Sequence, residues 1–129
     1  WLVTPNEVEA EAMTGIVIDG IESADRAAEV IRSKGVSQVL ITLGGRGVYV
    51  NMDGVSEIVP AYRVRAIDTT GAGDAFNGGL LCALAENKSL PEAARFANAV
   101  AAISVTRLGT TPAMPARSEV DEFIRAHNE

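Results

Sequence analysis

Asp68-Thr69-Thr70-Gly71-Ala72-Gly73-Asp74-Ala75-Phe76 is the stretch around which the rest of the chain is organised. An acidic residue opens it, a glycine-rich turn follows, and a second acidic residue stands where Phe76, Gly79, Leu80, Ala83 and Leu84 begin to repeat at helical spacing. That spacing predicts a helix with one apolar stripe. It puts the Gly71, Ala72 and Gly73 amides at the helix N-terminus, where unpaired N–H groups and the positive end of the helix dipole favour an anion. Asp74 would repel a phosphate that is merely held there. It suits a site where a phosphoryl group is transferred and a base must meet the attacking hydroxyl. The structural alternative is a tight Gly-x-Gly turn with Asp as an ordinary N-cap.

Working outward, Trp1-Leu2-Val3 reads as the end of a strand feeding into Thr4-Pro5-Asn6, and the start without Met reads as a piece of a longer chain. Residues 6–13 read as a short helix stopped at Gly15. Asn6 and Glu9 share one face of it. They form either a capping box or a polar pair for a hydrated metal, and local capping explains both residues. After a loop over residues 16–21, Ser23 is the expected cap of a helix with Ala24, Ala27, Ala28 and Ile31 as its apolar face, ended by Gly35. Residues 39–42 are β-rich and suit a buried strand. Thr42-Leu43-Gly44-Gly45-Arg46-Gly47 is either a hairpin turn or a set of amides that offers Arg46 to a nucleotide phosphate. Val48-Tyr49-Val50 returns as a strand, and Asp53-Gly54 predicts a tight hairpin before residues 55–59. The order implies an α/β sheet with antiparallel strands towards one edge.

Beyond the central stretch, Gly78-Gly79 inside a helix implies close approach of another backbone or a ligand. Ser89-Leu90-Pro91-Glu92 predicts a capping box with Pro in the first turn. Residues 93–105 are apolar nearly all round, so this helix is buried on most sides. Asn98 within it is either a satisfied core amide or a pocket residue. Residues 106–112 read as a loop, and Ser118 as the cap of a last helix reaching Ala126. His127, the one histidine, falls in a tail expected to fray and is given no chemistry.

The chain has 129 residues, enough for one domain with its own core. A net charge of −6 argues against a nucleic-acid or anionic-membrane surface. No apolar run approaches the roughly 20 residues needed to cross a bilayer. The single Cys82 falls inside a predicted helix and is expected to be a small buried residue in a reducing compartment, with the cytoplasm as default. There is no Cys/His metal pattern, no P-loop, and no histidine placed for a Ser-His-Asp triad.

The string from Asp68 to Phe76, followed by Gly78-Gly79, resembles the C-terminal signature of the ribokinase-like (PfkB) family of sugar and nucleoside kinases. The resemblance continues in family order. Thr4-Pro5-Asn6-x-x-Glu9-Ala10 resembles its Asn-x-x-Glu segment, Thr42-Leu43-Gly44-x-x-Gly47 its nucleotide loop, and Thr106-Arg107-x-Gly109 with Pro112 its C-terminal loop.

The resemblance implies a three-layer α/β/α fold of which this chain is the C-terminal, ATP-binding and catalytic part, the sugar-binding and lid part being absent. It implies ATP-dependent phosphorylation of a sugar hydroxyl, D-ribose to D-ribose 5-phosphate before other members such as a fructokinase, a deoxyribokinase or a nucleoside kinase. Asp74 would be the general base and meet the sugar, and the Gly71, Ala72 and Gly73 amides would stabilise the transferring phosphoryl. Thr42, Leu43, Gly44, Gly45, Arg46 and Gly47 would line ATP with Gly73 and Asp74, Asn98 near the adenine, and Asn6 and Glu9 at the magnesium–phosphate end, Glu9 through water. That last role displaces the simple cap. Potassium would be held by Asp68, Thr70, Ser104, Arg107, Gly109 and Ala113, several through carbonyls. The full-length protein would be a cytoplasmic homodimer acting on sugar and ATP. This fragment alone would be inactive or a silent nucleotide binder, and its cut sheet would expose an edge that favours self-association.

Overall fold

The computed structural model describes residues 2–65, 67, 71–106 and 115–127. The chain forms two compact units, Trp1–Val59 and Pro60–Glu129.

In the first unit, β1 (Leu2–Val3), α1 (Glu7–Thr14), α2 (Ile21–Arg32), β2 (Gln38–Thr42), β3 (Val48–Met52) and β4 (Val55–Val59) follow one another. The sheet runs β1-β2-β3-β4. β1 pairs parallel to β2, with Val3 opposite Val39. β2 and β3 are antiparallel from Gln38 opposite Met52 to Thr42 opposite Val48, and β3 and β4 from Val48 opposite Val59 to Met52 opposite Val55. A parallel start with antiparallel strands towards one end is the arrangement expected from the sequence. Asp53 and Gly54 both take positive φ, 53° and 90°, as a two-residue hairpin turn matched to strand twist requires.

One face of β2 and β3 meets the helices. Val39, Ile41 and Tyr49 pack with Ala10, Ala24, Ala27, Ala28 and Ile31. The intervening Leu40, Val48 and Val50 are buried as well, so these strands read as continuous apolar runs. The Tyr49 hydroxyl lies in this core. It donates to Asp25 Oδ1 at 2.6 Å and accepts from Asn51 Nδ2 at 2.9 Å, while Asn51 Oδ1 accepts from Gly54 N at 3.0 Å. Burial first, and then the bond to Asp25, push the Tyr49 phenol up to about 12. α2 is thereby tied to the β3–β4 turn. At the end of the strand order, β4 leaves Val55 and Ile58 exposed.

The second unit holds α3 (Ala72–Ala85), α4 (Leu90–Val105) and α5 (Arg117–His127). A short connection folds α3 back on α4 as a helical hairpin. Gly79 sets their spacing, because a Cβ there would stand 2.8 Å from Val100 Cγ2 and 3.2 Å from the Ala97 Cα. The close backbone approach expected of the glycine pair therefore holds at Gly79, while Gly78 is exposed. Arg117 at the start of α5 grips Glu86 through both terminal guanidinium nitrogens, reaches Asp121 through Nε, and lies 4.9 Å from the Phe96 ring centroid. The bond from Arg117 holds the Glu86 carboxyl below its ordinary value.

Four expectations change. Cys82 is exposed, because the buried positions Ala75, Phe76, Gly79, Leu80 and Ala83 turn it to the other side of α3 with Gly78 and Leu81. Ser23 does not begin α2 but stands in its first turn, with Gly20 as the cap position. Its hydroxyl accepts backward from the amides of Asp19 and Gly20, at 2.8 and 3.1 Å. Ser118 lies inside α5, which begins at Arg117. His127 ends that helix rather than a loose tail, stacked on Phe123 at 3.9 Å and edge-on to Tyr62 at 5.9 Å.

Candidate functional site

The candidate residues fall in both units. Asn6, Glu9 and residues 42–47 belong to the first, and Gly71, Ala72, Gly73, Asp74, Asn98 and Ser104 to the second. Asp68, Thr70, Arg107, Gly109 and Ala113 lie outside the described residues.

In the first unit the backbone joins the two candidate segments directly. Thr42 N donates to Pro5 O at 3.0 Å, and Asn6 bridges Thr42 in the parallel sense. Residues 43–47 close a loop around a 3₁₀ turn, Gly44–Arg46, with Leu43 N donating to Gly47 O at 2.8 Å. Gly44 at φ 60° and Gly47 at φ 101° take conformations that a side chain resists. No atom lies within 4 Å of where a Cβ would stand on Gly44 or Gly45, so these two glycines face open space, while Gly47 is buried. At the start of α1, Asn6 Oδ1 accepts from Glu9 N at 2.7 Å and Glu9 Oε1 accepts from Asn6 N at 2.9 Å. This is the capping box that the pattern alone favours. Among the described residues no group of three or more His, Cys, Asp or Glu comes together.

In the second unit the central stretch delivers its helix start. Gly71 is the N-cap of α3 in the left-handed region, φ 79°, with no side-chain cap. The first bond of the helix runs from Ala75 N to Gly71 O at 2.9 Å. The amides of Gly71, Ala72, Gly73 and Asp74 therefore have no intrahelical acceptor. A Cβ on Gly73 would meet nothing within 4 Å, and Asp74 is exposed in the first turn. The result is a cluster of donors without intrahelical acceptors at the positive end of a helix, with one carboxylate beside it.

Asn98 is buried, and its Nδ2 donates to Pro60 O at 3.1 Å, which satisfies it from the segment before the central stretch. Ser104 is buried near the end of α4, where Val105 O accepts from Ile67 N at 2.6 Å. Sequence reasoning did not single out the cavity of about 430 Å³ lined by Pro60, Ala61, Tyr62, Arg63, Arg95 and His127. Nor did it single out the ion pair between Glu7 and Arg46, residues 39 apart in the chain. No helix among the described residues is long and apolar enough to cross a membrane.

Known proteins match along nearly the whole chain. The model of the pfkB family carbohydrate kinases matches residues 1–117. A ribokinase of Haemophilus influenzae is 50% identical over 123 residues, which cover 95% of this chain and 40% of that protein. Among solved structures, a ribokinase of Arabidopsis thaliana complexed with ribose and ATP matches with a TM-score of 0.91 at 33% identity, over 96% of this chain and 40% of that one. A fructokinase double mutant from Vibrio cholerae, in a form bound to fructose, ADP and potassium ion, matches with a TM-score of 0.82 at 31% identity, over 95% and 40%. The chain spans about 40% of the length of these relatives. Its fold is ribokinase-like α/β, and the chain belongs to the pfkB family of carbohydrate kinases.

Proposed function

We propose that these residues form the nucleotide-binding and catalytic part of an ATP-dependent sugar kinase, with D-ribose as the substrate and D-ribose 5-phosphate as the product. The observation that carries the reading is the start of α3, where Gly71 opens the helix without a side-chain cap and Asp74 stands in the first turn. Asp74 takes the proton from the sugar hydroxyl as its oxygen attacks the γ-phosphorus of ATP. The P–O bond to ADP breaks, and the amides of Gly71, Ala72 and Gly73 stabilise the charge on the group in flight. Phosphoryl transfer depends mainly on position and electrostatics, so fixed donors and one base are an adequate protein contribution. Asn6 and residues 42–47 bind the phosphates of ATP, and Asn98 lies near the adenine.

A divalent cation supplies charge neutralisation on the phosphates when bound. Asn6 and Glu9 would organise it at the phosphate end, Glu9 through water, and potassium would add ordering near Ser104. Ribose is favoured by the 50% identity to a ribokinase. Fructose is the second reading, favoured by the likeness to a fructokinase bound to fructose and ADP.

The test is ADP release by the full-length protein with D-ribose, 2-deoxy-D-ribose, D-fructose and a nucleoside, each with and without potassium. Fastest turnover on ribose is expected. Faster turnover on fructose would replace ribose as the substrate, and no sugar-dependent ADP release would overturn the kinase reading.

A further inference from the structure

Arg46 is the one cationic side chain of the loop over residues 42–47. Its Nη2 lies 2.6 Å from Glu7 Oε2, in the first turn of α1. Both side chains are substantially exposed, 52% for Arg46 and 34% for Glu7, and such pairs add little to stability. The pair is not needed to hold the two segments together either, because Thr42 N–Pro5 O and the Asn6–Thr42 bridge already do so through the main chain. What it does fix is the direction of a long side chain on a turn whose two preceding glycines, Gly44 and Gly45, face open space.

We propose that Glu7 is a positioning residue for the nucleotide, holding Arg46 so that its remaining N–H donors meet the triphosphate of ATP. The inference rests on the kinase reading above. The guanidinium carries five donors in a rigid fork, and one contact to Glu7 leaves the others for phosphate oxygens. A free arginine loses rotamer freedom when it binds a phosphate, whereas one already held has lost it, and that difference appears as affinity. The carboxylate's own charge disfavours the triphosphate, and the positive end of α1 beside it offsets this.

The test is a double-mutant cycle in the full-length protein with Glu7→Gln, Arg46→Gln and both together. Calorimetric titration with ATP gives Kd, steady-state kinetics give KM and kcat, and thermal unfolding gives the midpoint. Glu7→Gln is expected to weaken ATP binding and raise its KM by about 3- to 10-fold. The value of kcat and the unfolding midpoint should stay near those of the unaltered protein. Arg46→Gln should weaken binding at least as much, and the double variant should match Arg46→Gln alone, because Glu7 acts only through Arg46. Full multiplication of the two effects, unchanged binding in Glu7→Gln, or tighter binding there would each overturn the inference while leaving the kinase reading intact. An unaltered protein that binds no ATP would overturn both.

Discussion

Helices in this chain begin in two contrasting ways. α1 and α4 answer their own first amides: Asn6 and Glu9 bond reciprocally, and Ser89 Oγ accepts from Glu92 N while donating to the Glu92 carboxylate. α3 opens with Gly71, which has no side-chain cap. A side-chain cap typically contributes about 1 kcal/mol. α3 dispenses with it and still forms, because Phe76, Leu80 and Ala83 are buried and Gly79 lets it lie close against α4. Helical stability in a protein comes mostly from packing of the apolar face, so a well-packed helix can leave its N-terminus uncapped. The contrast separates starts that serve the fold from a start that is free to serve a ligand.

The strongest test of that contrast is Asp74→Asn in the full-length protein. Turnover should fall about 10²–10⁴-fold, the range for loss of a positioned general base. ATP affinity should change little, because the amides at the start of α3 remain and the substituted side chain keeps its shape. Single-turnover kinetics beside an ATP titration would measure both. Near-normal turnover would remove Asp74 from the chemistry and leave the start of α3 as a binding feature only.

The two capped starts provide the next comparison. Ser89→Ala and Asn6→Ala should each lower the unfolding free energy by about 1 kcal/mol. Ser89→Ala should leave the KM for ATP unchanged. Asn6→Ala should raise it severalfold, because Asn6 also bridges Thr42 at the head of the loop over residues 42–47, which we propose binds the nucleotide. Denaturant unfolding and steady-state kinetics on the same two proteins decide the matter. Equal stability losses with no change in KM for either would make α1 a capped helix and nothing more.

Much of the fold was legible because its signals are local. The apolar run at β2, the Asp53-Gly54 turn, the polar pairs three apart at α1 and α4 and the stripe on α3 each lie within one or two turns of chain. The errors at Ser23 and Ser118 are errors of phase. A hydroxyl near a helix start serves at the cap or from inside the first turn, and only the direction of the incoming chain distinguishes them. Cys82 shows the same limit, since helix membership alone does not say which side is buried. Long-range contacts were beyond reach: Tyr62 against Phe123 and His127, Arg117 on Glu86, Pro60 O on Asn98 and Glu7 on Arg46. For the site, sequence indicated which amides stand at the start of α3. It left open whether Asp74 or the glycine turn would hold the cap position, and the structure puts Gly71 there.

Gly73→Ala should produce the smallest change in stability, and in the opposite direction from the cap variants. Gly73 lies inside the first turn of α3, and a Cβ there meets no atom within 4 Å. Alanine exceeds glycine in a helix by up to about 1 kcal/mol, so the unfolding midpoint should rise slightly. The added methyl would stand beside the amides that we propose meet the phosphoryl group, so turnover should fall roughly threefold, less than the loss of a whole donor costs. Stability and activity would then move apart in a single substitution, as expected where a backbone position is kept bare for a ligand rather than for the fold. A variant that is both more stable and fully active would mean that the ligand does not approach past Gly73, and that the donors in use are those of Gly71 and Ala72.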